Sequence, residues 1–174
     1  LKDFGLLNSS GFSNQSGVYI EAGTTRTSFE FISVVGFGAG IRNPHDATTF
    51  THLFRGVYVK FCSIGLFLKK VNNVVLDACF IESNGTNVDF EEGANFVMCN
   101  GCVIELFGDG RTGEEDDSVS IKVNNLVNFV CRDSYFEINS FEARQQVLAT
   151  FQATQGLVFE GNYIAKNAAL TPTL

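Results

Sequence analysis

The ending Cys79-Phe-Ile-Glu82 returns as Cys102-Val-Ile-Glu105 and again as Ser134-Tyr-Phe-Glu137, each time behind a turn rich in asparagine. A pattern repeated at unequal intervals points to one structural unit joined by loops of variable length. Aligned on this ending, Cys79, Cys102, Ser134 and Asn162 correspond, as do Ile81, Ile104, Phe136 and Ile164, with Cys62 and Ile64 extending the column upstream. Before each anchor runs an alternating strand, whose inward pairs are read as Val57/Val59, Val74/Leu76, Val97/Cys99, Phe129/Cys131 and Leu157/Phe159. A second strand precedes each turn, with inward pairs at Val18/Ile20, Leu66/Leu68, Val88/Phe90, Val119/Ile121 and Ala149/Phe151. Period-2 alternation places each pair on one face of a strand.

A unit of roughly 17 to 32 residues cannot bury such a stripe alone, so it must stack on copies of itself. About seven coils with parallel strands ~4.8 Å apart predict a solenoid about 30 Å tall. Residues 1–174 form a single domain in this reading. Each apolar column then lies directly over its neighbour, and asparagine recurs because it tolerates left-handed backbone and bonds along the turn.

The composition agrees: 18 Phe, 17 Gly and only 2 Pro suit many short strands joined by turns. A net charge of −7, with no basic run longer than Lys69-Lys70, removes the electrostatic term that nucleic-acid binding requires. No apolar run approaches the ~20 residues of a membrane-spanning helix, so no membrane insertion is expected. No signal peptide is read, and a first residue that is not Met leads us to expect a piece of a longer protein. The five cysteines sit in apolar strand-like runs and are read as reduced core thiols. Cys99-x-x-Cys102 has no second ligand pair at zinc-site distance, so neither metal nor cofactor is expected.

The Asn72-Asn73, Asn95 and Asn124-Asn125 turns, the Val-x-Leu strands and the Asn/Cys-x-Ile endings resemble the right-handed parallel β-helix of the pectate-lyase superfamily. The resemblance is strongest to the tailspike and tail-fibre proteins of bacteriophages; it covers residues 50 to 166 well and 1 to 50 loosely. It implies an all-β right-handed parallel β-helix, a homotrimer, a place in the phage tail of the virion after assembly in the host cytoplasm, and a bacterial surface polysaccharide as partner. Many activities share this scaffold, so function must be sought on the outward faces.

Two outward ladders stand out. Tyr58, Val75, Met98, Val130 and Val158 are read as an apolar stripe, followed two residues on by Lys60, Asp77, Asn100, Arg132 and Glu160. Such a stripe needs a cover: a terminal segment or loop 139 to 147 folded across it, a glycan stacked on it, or the three-fold subunit interface that the resemblance implies. The other ladder pairs Phe80/Glu82, Val103/Glu105, Tyr135/Glu137 and Tyr163/Ala165. Phe80, Tyr135 and Tyr163 offer rings for sugar C–H faces, while Glu82, Glu105 and Glu137 offer acid/base chemistry of the glycosidase kind. Stacked carboxylates raise one another's pKa, most of all at the central Glu105, which is the candidate general acid. A glutamate at a strand end is also an ordinary last residue before a turn, so a non-catalytic shaft or receptor-binding segment stands as the alternative. A lyase is disfavoured, because no acidic calcium cluster is paired with a basic residue on one ladder.

Three further motifs carry less. The acidic loop 108–117 lacks EF-hand spacing. His45 and His52 fall in or beside a loop-like stretch with no nucleophile placed near them. The glycines from Gly36 to Gly40 are followed by neither the helix nor the lysine of a phosphate loop.

Overall fold

The computed structural model describes residues 1–8, 14–43, 48–92, 95–107, 118–138 and 146–166. Within them the chain winds as a parallel β-helix, three strands to a pass. The passes are β1 (Gly5–Leu7), β2 (Ser16–Tyr19) and β3 (Thr25–Glu30); β4 (Ser33–Val35), β5 (Ala39–Asn43) and β6 (Phe50–Arg55); and β7 (Tyr58–Lys60), β8 (Ile64–Lys69) and β9 (Asn73–Asp77). There follow β10 (Phe80–Asn84), β11 (Thr86–Glu91) and β12 (Phe96–Asn100); β13 (Val103–Phe107), β14 (Ser118–Asn124) and β15 (Asn128–Arg132); β16 (Tyr135–Ile138), β17 (Gln146–Gln152) and β18 (Gly156–Glu160); and a last strand, β19 (Tyr163–Lys166).

Every third strand pairs in parallel. The result is one seven-stranded sheet headed by β1 and two six-stranded sheets headed by β2 and β3. The stack is somewhat shorter than the seven full coils expected, and no α-helix occurs among the described residues.

The core is built from the expected columns. Val74, Val97 and Phe129 lie in register, as do Leu76, Cys99 and Cys131, all fully buried. Val59, Ile81, Ile104 and Phe136 form the matching column on the seven-stranded sheet. Stacking like on like lets side chains of one shape pack in one rotamer, and Phe29 lies on Phe54 with centroids 5.0 Å apart and planes within 6°. All five cysteines are buried free thiols. Cys79 donates to the Phe54 carbonyl at 3.3 Å, and Cys102 to that of Leu76 at 3.5 Å.

The register corrects the sequence reading at two coils, and Ile64, expected to extend the anchor column, lies instead on β8 of the β2 sheet between Ala39 and Thr86. Val57/Val59 belong not to the β3 sheet but to the anchor column, since Val59 pairs with Ile81 and Tyr58 with Phe80. Their place in the β3 sheet is taken by His52 and Phe54, opposite Val74 and Leu76. Tyr58 therefore leaves the apolar stripe and Leu53 enters it, opposite Val75, while Arg55 rather than Lys60 stands opposite Asp77. The Arg55 Nε–Asp77 contact of 3.0 Å and that of Arg132 Nε with Glu160 at 2.7 Å run along this outer edge. In the β2 sheet the in-register pair on β14 is Ile121/Val123, two residues beyond the expected Val119/Ile121 and on the same face.

Left-handed backbone recurs at the corner between the β3 sheet and the seven-stranded sheet, at Phe31, Gly56, Ala78, Gly101, Asp133 and Gly161. The turn asparagines Asn72-Asn73, Asn95 and Asn124-Asn125 lie instead at the corner between the β2 and β3 sheets, where Lys70, Glu92 and Ala153 share positive φ with Asn125, the one of these asparagines that has it. Asn95 and Asn72 work through side chains, Asn95 Nδ2 donating to Asn72 Oδ1 at 2.7 Å, and at the end of β10 a further buried asparagine, Asn84, accepts from the Cys62 amide at 2.8 Å. Gly40 is required for a different reason, because a Cβ there would sit 2.5 Å from Val59 Cγ1 and 2.6 Å from the Gly65 carbonyl.

His52 is a core residue, not a loop residue. Its Nδ1 lies 2.5 Å from Thr27 Oγ1 and its Nε2 2.9 Å from Thr49 Oγ1, which also accepts from Asn43 Nδ2 at 3.0 Å. Burial lowers its pKa and keeps the ring neutral. His45, the acidic loop 108–117 and residues 139–145 of the expected covering loop lie outside the described residues.

Candidate functional site

The carboxylate ladder is a product of the seven-stranded sheet. Strands β7, β10, β13 and β16 are in register, so Lys60, Glu82, Glu105 and Glu137 occupy one outward column, with Tyr58, Phe80, Val103 and Tyr135 in the column two residues back. Tyr163 continues the second column on β19 and Ala165 ends the first. The structure thus brings together all six residues expected to bind or act on substrate, and adds Tyr58 and Lys60. The missed register had a legible signal: Gly56 precedes Val57 as Gly101 precedes Cys102 and Gly161 precedes Asn162.

The charges along the column are not equivalent. At its head Glu82 Oε1 accepts from Lys60 Nζ at 2.8 Å and from the Tyr58 hydroxyl at 2.6 Å. Burial by itself would raise Glu82, but Lys60, Tyr58 and the Glu105 carboxyl hold it below the usual carboxylate range. The bond to Glu82 in turn raises Lys60, outweighing its burial. Tyr58 is raised, first by burial and then by Glu82. Glu105 stands between two carboxyls: burial, hydrogen bonds shared with Glu82 and Glu137, and repulsion by both push it up to about 7. At the foot, Tyr135 donates to Glu137 Oε2 at 2.8 Å, and that bond pushes the phenol up to about 12.

In this column Glu82 is fixed at one end by a cation, Glu137 is bound by a phenol two rungs on, and Glu105 stands between them. With its carboxyl pushed up to about 7, Glu105 is the member suited to carry a proton near neutrality. Adjacent carboxyl-bearing residues stand one rung, about 4.8 Å, apart along the stack, against the ~5 to 5.5 Å between the carboxyls of a retaining glycosidase pair. Glu82 and Glu137, two rungs apart, are separated by about 9.6 Å along the stack. Beside them the aromatic column is open: Tyr135 and Tyr163 stack with centroids 5.6 Å apart and planes within 15°, and Phe80, Tyr163 and Ile164 are exposed.

Comparison with known protein families, curated proteins and solved structures finds no match. The fold and the site therefore rest on the chain's own geometry.

The second outward ladder lies on the β3 sheet. Leu53, Val75, Met98, Val130 and Val158 stand in register on neighbouring strands, each half-buried in the single chain. Among the described residues no group of His, Cys, Asp and Glu is placed to hold a metal ion.

Proposed function

We propose that this chain is a β-helix segment of the phage tailspike or tail-fibre kind, and that its seven-stranded face binds a bacterial surface polysaccharide. The observation that carries this reading is the near-parallel Tyr135/Tyr163 stack, half-buried at Tyr135 and exposed at Tyr163, beside a column of carboxyls. Sugar rings present C–H faces that pack on such aromatics, and their hydroxyls donate to carboxylates. The hydroxyls would meet Glu137, already bonded to Tyr135, and the raised carboxyl of Glu105. Cleavage is a narrower claim, and on this face it would fall to Glu82, Glu105 and Glu137, with Glu105 as the acid. Binding of oligosaccharides from bacterial surface polymers, measured by calorimetry, tests the reading. Tyr135→Ala should weaken affinity several-fold to about tenfold through loss of stacking, and unchanged affinity would refute it. Glu105→Gln should abolish any cleavage while leaving binding in place, because the amide keeps the shape but cannot exchange a proton.

A second reading rests on the apolar ladder of the β3 sheet. In it the segment is a shaft whose Leu53, Val75, Met98, Val130 and Val158 column meets two further copies around a three-fold axis, in a virion assembled in the host cytoplasm. The two readings use different faces and are compatible in one particle.

A further inference from the structure

The β2 sheet carries a feature that neither reading uses. On its outward column Arg42 stands beside Phe67, and the guanidinium carbon lies 5.7 Å from the ring centroid. Arg42 Nε is buried and has no hydrogen-bond partner. Among the described residues Arg42 forms no ion pair, and Asp89, the nearest acid of the column, is one rung further on, behind Phe67. An arginine N–H shut away from water without an acceptor is costly, and a buried donor left unsatisfied calls for a partner outside the chain. Beside it opens a groove of about 400 Å³, lined by Asn14, Gly38, Arg42, Ser63 and Phe67 among others. That volume falls within the ~300 to 1,000 Å³ of small-molecule sites. Asn14 and Ser63 add polar side chains to its lining.

We propose that this groove is a binding site for a small oxyanion carried on a polar body, with the Arg42 guanidinium as its anchor. A carboxylate or sulfate ester matches the planar donor fork, and the stacked Phe67 ring holds the fork in one orientation. The choice of a sugar as carrier, an acidic residue such as a uronate, rests on the saccharide reading above; the anion does not. The preference for an anion is local: the net charge of −7 opposes it at long range, and the Arg42 guanidinium beside the groove supplies the attraction.

The test is an amide-shift titration of the whole chain with glucuronate, glucose 6-sulfate and glucose. Saturable shifts centred on Gly38, Ser63 and Phe67 with glucuronate, and none with glucose at equal concentration, are expected. A response to the sulfate ester in place of glucuronate would name that ester as the anion's source and keep the site. Arg42→Gln should weaken binding by about tenfold or more, Arg42→Lys should weaken it less, and Tyr135→Ala should leave it unchanged. Equal shifts with glucose, no shifts with either anion, or full affinity in a folded Arg42→Gln variant would overturn the proposal. If the glutamine variant fails to fold, the wild-type comparison of the three sugars still decides. Anion binding at Arg42 with no saccharide binding at Tyr135 would sink the face reading alone, and the converse would sink this one.

Discussion

Glu105 and His52 are opposite solutions to burying an ionisable group, and together they shape how stability depends on pH. Glu105 is pushed up to about 7 in the folded chain from an ordinary value of 4.5. Between those values the folded state holds the extra proton, so its contribution is present in full below pH 4.5 and is lost as pH rises through about 7. His52 is lowered from 6.5. Below pH 6.5 the unfolded chain takes the proton more readily, so that contribution falls on acidification. Glu105→Gln should therefore leave stability near pH 4.5 almost unchanged and raise it at pH 8. His52→Gln should flatten the acid limb instead. Urea unfolding of both variants across pH 4 to 8 checks the two signs. Asp89, pushed up to about 6 chiefly by its burial and then by Glu91, acts in the same sense as Glu105 over a lower range and remains in both variants.

At the scale of the strand and corner, two glycines separate two kinds of requirement. Gly101 has φ of 59° but open space where a Cβ would stand, so Gly101→Ala should cost about 1 kcal/mol of backbone strain and no more. The neighbouring coil already places Ala78 at that corner. Gly40→Ala forces a methyl against Val59 and the Gly65 carbonyl and should cost more, about 1 to 3 kcal/mol or above. Denaturant midpoints of the two variants rank them, and an equal loss would remove the distinction. The same corner explains what could be read in advance. Columns such as Val74/Leu76 and Val97/Cys99 were legible because alternation has a period of two, and the anchor glutamates because their neighbours repeat. Val57-Tyr-Val59 was misplaced because alternation alone does not say which sheet a strand joins. Gly56 says so, since it opens the seven-stranded rung as Gly101 and Gly161 do. His52 defied its surroundings: an imidazole in an apolar column is tolerated only because Thr27 and Thr49 complete its hydrogen bonds. Arg42 carried no pattern at all, because its significance is the absence of a partner, which only three dimensions reveal.

For the whole molecule, the outward ladders are the faces through which the chain can meet other molecules. The β3-sheet ladder is continuous because its strands stay in register over five rungs, and Met98 and Val130 lie within it. Burying side chains of this size contributes about 1.5 to 3 kcal/mol each before the entropy of association is subtracted. A Met98→Lys, Val130→Lys double variant should leave folded chains that no longer self-associate, as sedimentation velocity would show. If the wild-type chain is monomeric at high concentration while keeping its circular-dichroism spectrum, self-association of this chain through that face is refuted.

Parallel coiling has a kinetic consequence as well. Each strand finds its partner a full pass away, as Phe80 finds Val103 and Val103 finds Tyr135. Almost every stabilising contact therefore closes a long loop, and folding should be slow for the chain's size, on the scale of seconds rather than milliseconds. The first rungs to close should be those whose core is sealed on both sides, around Leu76, Ile81, Val97 and Ile104, all at 1% exposure or less. Leu157 and Ile164, each 50% exposed at the last rungs, should join late and leave first. Hydrogen exchange should accordingly grade from slow at β9, β10 and β12 to fast at β18 and β19, so that the stack opens from its ends like a fraying rope.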